Sequence, residues 1–122
     1  MSAFSQAEID YLTSQRLGRL ATVDAHGAPQ NNPVGVHYNA ELDTIDVYGR
    51  DLASTRKFHN VQSNPNVAMV VDDLVSVQPW RVRGVEIRGV AEVVRLSEPA
   101  DARFGSEVIR IRPRRVISWG LD

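Results

Sequence analysis

The pattern of apolar and polar residues begins with a helical period. Ser5 and Glu8 form a capping box, in which the serine side chain accepts from the third helical N–H and the glutamate reaches back to the cap. Phe4 and Ile9 stand at the positions of a hydrophobic staple. The apolar stripe ends near Gln15, so we expect a helix of about three turns that covers one end of a sheet.

A two-residue alternation follows and predicts short strands separated by turns rich in glycine, asparagine and aspartate. The segment 29–38 is irregular, because two prolines and a glycine favour an edge strand or a bulge. It is either a plain edge strand or a surface for a planar polar ligand. The expected strands are 16–23, 29–38, 44–48, 67–72, 82–94, 108–112 and 115–119.

Two further short helices are expected. Ser54 or Thr55 can cap a helix that ends before Pro65. The segment 97–104 has a proline at a permitted first-turn position, which favours a second short helix. The chain 1–122 therefore predicts one mainly-β domain, a closed or nearly closed barrel of six or seven antiparallel strands with two or three short helices on its ends.

Composition and charge narrow the function classes. Lysine and arginine number 14, aspartate and glutamate 15, and the formal net charge is −1, which disfavours a nucleic-acid or anionic-membrane protein. The absence of cysteine excludes disulfides, a thiolate nucleophile and a cysteine metal site. The first residues lack a signal-peptide pattern, and no apolar run approaches the length of a membrane span. We expect a soluble cytoplasmic protein.

The start of the predicted helix after Ser54 carries cations where a helix prefers anions. Arg56 and Lys57 follow the capping hydroxyl, and Lys57 is the only lysine among the 14 basic residues. Two cations, a hydroxyl and free N–H groups together form a cradle for a phosphate group. The alternative is an ordinary solvated basic helix on the surface.

Other candidate chemistry is sparse. The three histidines have no metal-binding spacing, and His37 is expected at the edge of the core. Asp72 and Asp73 are expected to be a solvated strand end rather than an acid–base pair. No nucleophile elbow, P-loop or dinucleotide-binding glycine motif is present. A phosphate cradle with few titratable neighbours indicates a bound cofactor that does the chemistry itself.

Several short motifs occur in a fixed order along the chain. They are R-x-G-x-L-A-T-V-D at 16–24, G-x-P-Q-x-x-P-V at 27–34, K-x-x-N-x4-P at 57–65, an apolar strand, and R-V-I-S-W-G at 115–120. Together they resemble the pyridoxamine-phosphate-oxidase-like split β-barrel superfamily. Within it, the chain is most similar to the small actinobacterial enzymes that depend on the deazaflavin coenzyme F420, and the resemblance covers nearly the whole chain.

The resemblance implies a homodimer with two cofactor sites at the interface. Lys57 would bind the cofactor phosphate, beside Thr55, Arg56 and Asn60, with Arg50 as a possible second cation. The cofactor ring would lie along Asn32, Pro33 and Val34, with Tyr48 and Gly49 on the neighbouring strand and Trp80 supplied by the partner subunit. The loop 49–53 is longer than in some relatives, which leaves the role of Arg50 open.

The activity implied by the resemblance is hydride transfer between F420 and a small organic substrate. No side chain need act as a catalytic acid or base, because the protein would hold the ring and exclude water. The C-terminal extension of true pyridoxamine phosphate oxidases is not seen, so that activity is not carried over. The alternatives are an FMN-dependent oxidoreductase of the same fold, a non-catalytic flavin or deazaflavin carrier, and a small nucleic-acid-binding barrel, which the charge balance disfavours.

Overall fold

Seven antiparallel strands form one sheet in the computed structural model, which describes residues 1–121. The elements in chain order are α1 (Gln6–Ser14), β1 (Leu17–Val23), β2 (Pro29–Gly35), β3 (His37–Asn39), β4 (Thr44–Val47), a 3-10 turn (Leu52–Ser54), α2 (Arg56–Ser63), β5 (Asn66–Ser76), β6 (Arg81–Arg95) and β7 (Glu107–Trp119).

The strand order β2-β1-β5-β6-β7-β4-β3 places β2 and β3 at opposite edges of the sheet. Only Val36 separates these two strands in the chain, and its N–H donates to the carbonyl of Arg16 at 3.1 Å. Because one residue joins the two edges, the sheet must curl until they are adjacent. The predicted split β-barrel is confirmed, and the irregular segment 29–38 forms both of its edges.

The first helix begins as the sequence predicted. Glu8 N donates to Ser5 Oγ at 3.1 Å, and Ser5 N donates to Glu8 Oε1 at 2.8 Å. The other carboxylate oxygen of Glu8 accepts from Ser118 Oγ at 2.6 Å, which ties α1 to the end of β7. Phe4 and Leu12 are buried in the core, so α1 covers one end of the barrel.

The core fills the barrel with aliphatic side chains from alternate strand positions, as a two-residue period requires. On β1, for example, Gly18, Leu20 and Thr22 face inward. Phe58 and Val61 attach α2 to this core at 3% and 4% exposure. Burying such side chains stabilises the fold by about 1.5–3 kcal/mol each, so the position of α2 is fixed by packing.

One buried ion pair links the strands β4 and β7. Asp46 is fully buried, and Arg110 donates to it from Nε at 3.1 Å and from Nη2 at 3.2 Å. Thr44 and Asn39 donate to the same carboxylate, both at 2.9 Å. The four hydrogen bonds offset the cost of removing the carboxylate from water. The pair therefore fixes the end of β4, directly before Tyr48 in the chain.

Two predicted segments differ from the structure near the C-terminus. The helix expected at 97–104 is wrong, since this segment consists of turns and bends. Its Asp101 accepts from the backbone N–H and the guanidinium of Arg103 at 2.8–3.0 Å, and such local bonds compete with helix formation. The two strands expected around Pro113 are one continuous strand, because the proline lies opposite Gly89 at a register shift.

The hairpin of β5 and β6 is longer than expected. Asp72 and Asp73 do not end the strand, which continues to Ser76. Each carboxylate forms an ion pair, Asp72 with Arg19 and Asp73 with Arg83. The prediction that the strand ends at these residues was therefore wrong, because cross-strand arginines stabilise charged positions within the ladder; Asp72 is nevertheless exposed to solvent.

Candidate functional site

The N-terminus of α2 is capped by Thr55. Its Oγ1 accepts from Phe58 N at 3.4 Å and donates to the carbonyl of Leu52 at 2.6 Å. Ser54, the other capping candidate, donates instead to the Asp51 carboxylate at 2.8 Å. The second helix therefore begins where the sequence predicted, and its first N–H groups lie beside Arg56 and Lys57.

The two cations at this end of α2 form no ion pair with any residue that the structure describes. Among residues 1–121, neither Arg56 nor Lys57 makes a side-chain hydrogen bond or an ion pair within the protein. Arg56 is exposed, whereas Lys57 is half-buried. A surface cavity of about 450 Å³ opens here, lined by Ser54, Arg56, His59 and Asn60. Arg56 at this cavity, the neighbouring Lys57 and the helix N-terminus together form an electropositive site suited to a phosphate.

Asn60 lines the same cavity but is 5% exposed and held in a polar chain. Its Nδ2 donates to Thr22 Oγ1 at 3.0 Å and to Gln30 Oε1 at 2.9 Å. Gln30 Nε2 in turn donates to Asn32 Oδ1 at 2.8 Å. The amide donors of Asn60 are thus engaged in the fold, so its role is to fix α2 against β1 and β2. The sequence predicted a cofactor role for Asn60 but not its contacts with Thr22 and Gln30, because these residues lie on other elements, 38 and 30 positions away in the chain.

Successive residues of β2, the strand predicted to contact the cofactor ring, point to opposite sides of the sheet. Asn32 and Val34 point to the inner side of β2, while Pro33 is exposed on the outer side. Since β2 is an edge strand, one side of its backbone pairs with β1 and the other is open. A flat ring along this strand would meet that open backbone edge together with Pro33.

Tyr48 does not line the cavity at α2 but a second cavity, and Gly49 follows it in the chain. The Tyr48 ring stacks on Phe104 with centroids 5.3 Å apart at 15°, and His37 packs edge-on against Tyr48 at 5.0 Å. The carbonyl of Gly49 accepts from Gly105 N at 2.9 Å, which holds the loop containing Phe104 in place. Burial is the main cause that raises the pKa of Tyr48.

Arg50 and Trp80 are both on the surface. Arg50 is exposed in the turn that precedes the Leu52–Ser54 segment. Trp80 is 68% exposed at the tip of the β5–β6 hairpin, and β5 runs from Asn66 to Ser76 between α2 and this tip. Ten steps along a strand span roughly 33 Å. One chain therefore does not bring Trp80 to its own α2 cavity.

Two kinds of site find no support in the part of the chain that is described. No three His, Asp or Glu side chains within residues 1–121 lie close enough to hold a metal ion. Over the same residues, neither helix has the length and apolarity needed to cross a membrane.

The family model described as "Pyridoxamine 5'-phosphate oxidase" matches residues 5–120. The chain belongs to the pyridoxamine 5'-phosphate oxidase family. It is 46% identical over 124 residues to the 5a,11a-dehydrotetracycline/5a,11a-dehydrooxytetracycline reductase of Streptomyces rimosus subsp. rimosus, which covers 98% of this chain and 84% of the relative. This member of the family is an oxidoreductase, as the sequence predicted.

Two solved structures with a similar fold agree with the assignment to this family. The conserved hypothetical protein Rv2991 of Mycobacterium tuberculosis superposes with a TM-score of 0.76 at 26% identity, over 97% of this chain and 86% of that one. A structure titled F420 reductase superposes with a TM-score of 0.70 at 25% identity, over 93% of this chain and 98% of that one. The split barrel is thus shared across nearly the full described chain.

Proposed function

We propose that this member of the pyridoxamine 5'-phosphate oxidase family is a reductase that uses coenzyme F420 as hydride donor to a small conjugated carbonyl compound. The observation that carries the proposal is the pair of cations at the capped start of α2, which form no ion pair within residues 1–121. The likeness to a structure titled F420 reductase supports the choice of cofactor. The likeness to a dehydrotetracycline reductase supports a conjugated acceptor.

The residues present fit the phosphate of such a cofactor. Arg56 and Lys57 supply positive charge, and the N–H groups that follow Thr55 add hydrogen-bond donors. Lys57 is half-buried, so a charge-assisted bond from its Nζ is screened less by water than one at an exposed site. Asn60 holds this helix against β2 and thereby sets the distance between the phosphate cavity and the open strand edge.

The protein's part in the reaction is to bind and orient. When bound, the reduced deazaflavin supplies the hydride, and a proton from solvent completes the two-electron reduction of the acceptor. The backbone edge of β2 at Pro33 and Val34 would hold the ring flat, and the aliphatic core behind it excludes water on one side.

The assembly we propose is a cytoplasmic homodimer. Large apolar side chains cluster at the tip of the β5–β6 hairpin and the end of β7, where they are 36–69% exposed. They are Leu74, Val75, Val77, Trp80, Val82 and Trp119. An apolar patch of this kind on a small domain is typical of a protein interface. A two-fold dimer would cover it and bring Trp80 towards the partner subunit's cofactor.

FMN is the second candidate cofactor, because the same phosphate cavity accepts any phosphorylated flavin. A fluorescence titration of cofactor-free protein with F420 and with FMN separates the two. We expect the lower dissociation constant for F420. Tighter binding of FMN, or FMN that copurifies with the protein, would overturn the cofactor assignment.

Carriage of the cofactor without catalysis is tested separately. Stopped-flow spectroscopy of the reduced F420 complex, with and without added quinones and enones, distinguishes an enzyme from a carrier. We expect acceptors to accelerate oxidation of the bound cofactor above the rate of free F420. Unchanged rates across such a panel would favour the carrier.

A further inference from the structure

A second cavity, of about 480 Å³, lies where β2 passes into β3. We call it the aromatic cavity; its lining includes Arg16, Gly35, His37, Tyr48, Arg103 and Phe104. We propose that the aromatic cavity binds the hydride acceptor and selects flat conjugated carbonyl compounds that carry an anionic enolate or phenolate oxygen. The inference rests on the proposed function, because it names the acceptor class of that same reaction.

The size and the walls of the cavity suit a flat organic molecule. Its volume falls within the range of about 300–1,000 Å³ that small-molecule sites occupy. The parallel rings of Tyr48 and Phe104 form a flat apolar wall, and His37 lies edge-on to both at 5.0 and 5.7 Å. A further conjugated ring gains favourable contact with such a cluster whether it stacks or lies edge-on.

The polar groups at the rim favour an anionic oxygen. Arg16 is exposed, and its guanidinium has no ion-pair partner within residues 1–121. Arg103 has its charge matched by Asp101 at 2.9 Å and lies 5.0 Å from the Phe104 ring centroid, so it contributes mainly to the wall. Arg16 is thus the cation left for a ligand, and a guanidinium recognises a delocalised oxyanion through its planar fork of donors.

His37 adds a neutral polar group to the same space. Its ring nitrogens make no hydrogen bond with other side chains of the described residues. A Cβ atom on Gly35 would stand 3.1 Å from Nε2 of His37, so the absence of a side chain at Gly35 leaves room for the imidazole over the strand. A neutral imidazole offers one donor and one acceptor to a carbonyl or hydroxyl group.

The position of the aromatic cavity matches an acceptor site. Gly35 directly follows Val34, the last residue of the strand proposed to hold the cofactor ring, and one strand residue spans about 3.3 Å. A molecule in the cavity would therefore lie beside the ring rather than beside the phosphate at α2. Adjacent placement of the two reactants is what hydride transfer requires.

Binding of two naphthoquinones to cofactor-free protein tests the proposal without relying on turnover. The probes are 2-hydroxy-1,4-naphthoquinone, a vinylogous acid that is anionic at neutral pH, and neutral 2-methyl-1,4-naphthoquinone, both measured by titration calorimetry. The variants are Arg16→Gln and Phe104→Leu. Arg114→Gln is the matched control, since Arg114 is exposed on β7 away from the cavity.

We expect Arg16→Gln to weaken binding of the anionic quinone about three- to fivefold and to leave the neutral one within about twofold. Phe104→Leu should weaken both by about twofold or more, because the stacked wall is lost. Arg114→Gln should change neither. Equal effects of Arg16→Gln and Arg114→Gln on the anionic quinone, or wild-type protein that binds neither quinone, would overturn the proposal.

Titration of the same variants with F420 separates this proposal from the cofactor assignment. Unchanged F420 affinity in Arg16→Gln, with weaker quinone binding, supports an acceptor site distinct from the phosphate cavity. Wild-type protein that binds the quinones as described but not F420 would remove the proposed function and leave the aromatic cavity as a ligand site. Protein that binds F420 but neither quinone would remove the aromatic cavity alone.

Discussion

Nδ2 of Asn60 on α2 lies 2.9 Å from Oε1 of Gln30 on β2. The same nitrogen lies 3.0 Å from Thr22 Oγ1 on β1, so one amide group holds the helix to two strands. Because α2 begins at the proposed phosphate cavity and β2 is the proposed ring strand, this contact sets the geometry between the two parts of the proposed site.

Asn60→Ala should therefore destabilise the fold and weaken cofactor binding together. The substitution leaves Thr22 Oγ1 and Gln30 Oε1 without their donor, which costs about 1–3 kcal/mol of unfolding free energy. Urea unfolding and F420 titration measure the two effects. Gln62→Ala, at an exposed position of the same helix, is the control and should stay within about 0.5 kcal/mol. Identical unfolding midpoints for the two variants would remove the positioning role of Asn60.

Lys57→Met should weaken cofactor binding with little effect on the stability of the cofactor-free protein. A charge-assisted hydrogen bond contributes about 1.5–3 kcal/mol, so we expect a loss of roughly 10- to 150-fold in affinity. Lys57→Arg should recover part of it, because the charge stays while the geometry changes.

Salt dependence supplies the control for Lys57. The wild-type dissociation constant should rise with salt concentration, and that of Lys57→Met should rise less, because one ionic contact is gone. Calorimetric titration at two salt concentrations measures both. An affinity that Lys57→Met leaves unchanged would show that the lysine is an ordinary solvated side chain.

Trp80→Ala should weaken cofactor binding through the partner subunit while the fold stays intact. The indole is 68% exposed in one chain, so its removal leaves no cavity in the core. Light scattering should give twice the chain mass for the wild type at micromolar concentration. A monomeric wild type, or a Trp80→Ala variant with full cofactor affinity, would contradict the proposed assembly.

Short-range sequence patterns predicted the elements that are stabilised by contacts between residues close together in the chain. The capping box of Ser5 and Glu8 and the cap at Thr55 are hydrogen bonds between residues three apart, so they can be read from the sequence. The continuation of β7 through Pro113 depends on Gly89 of another strand. A Cβ at Gly89 would collide with the Arg112 carbonyl, so this position requires glycine, which becomes clear only once the strand pairing is known.

The candidate site likewise has one part that the sequence could suggest and one part that only the fold shows. The residues proposed to bind the phosphate lie close together in the chain at the start of α2, so the sequence could suggest them, although it did not single out His59, which lines the cavity with Arg56 and Asn60. Phe104 and Tyr48 are far apart in the chain and stack in a fold where Gly105 N donates to the carbonyl of Gly49. Since the segment containing Phe104 was expected to be helical, the aromatic cavity could not be derived before the fold was known.

His37 should make the protein less stable as the pH falls below neutrality. Burial is the first cause that lowers its pKa from 6.5, and the charge of Arg103 lowers it further, against smaller raising effects of Asp46 and Asp101. The unfolded chain then binds a proton at His37 more readily than the folded chain. Above about pH 6.5, His37 is neutral in both the folded and the unfolded protein and does not change the free energy of unfolding. Below that pH the unfolded chain takes up the proton first, so the free energy of unfolding falls as the pH drops. Urea unfolding between pH 7.5 and pH 5 measures this slope.

The variants His37→Gln and His26→Gln isolate that effect. His37→Gln removes the titrating group and should flatten the slope of unfolding free energy against pH below about pH 6.5. His26 is exposed in the β1–β2 turn, so His26→Gln serves as the control and should change the slope less than His37→Gln does.

Histidine resonances followed by NMR give the direct test of the His37 pKa. The pKa of His37 should lie below 6.5 and rise in Arg103→Gln, because the lost cation lowered it and the released Asp101 carboxylate raises it. A His37 pKa at or above 6.5 in the wild type would contradict the half-buried, neutral imidazole inferred for the aromatic cavity.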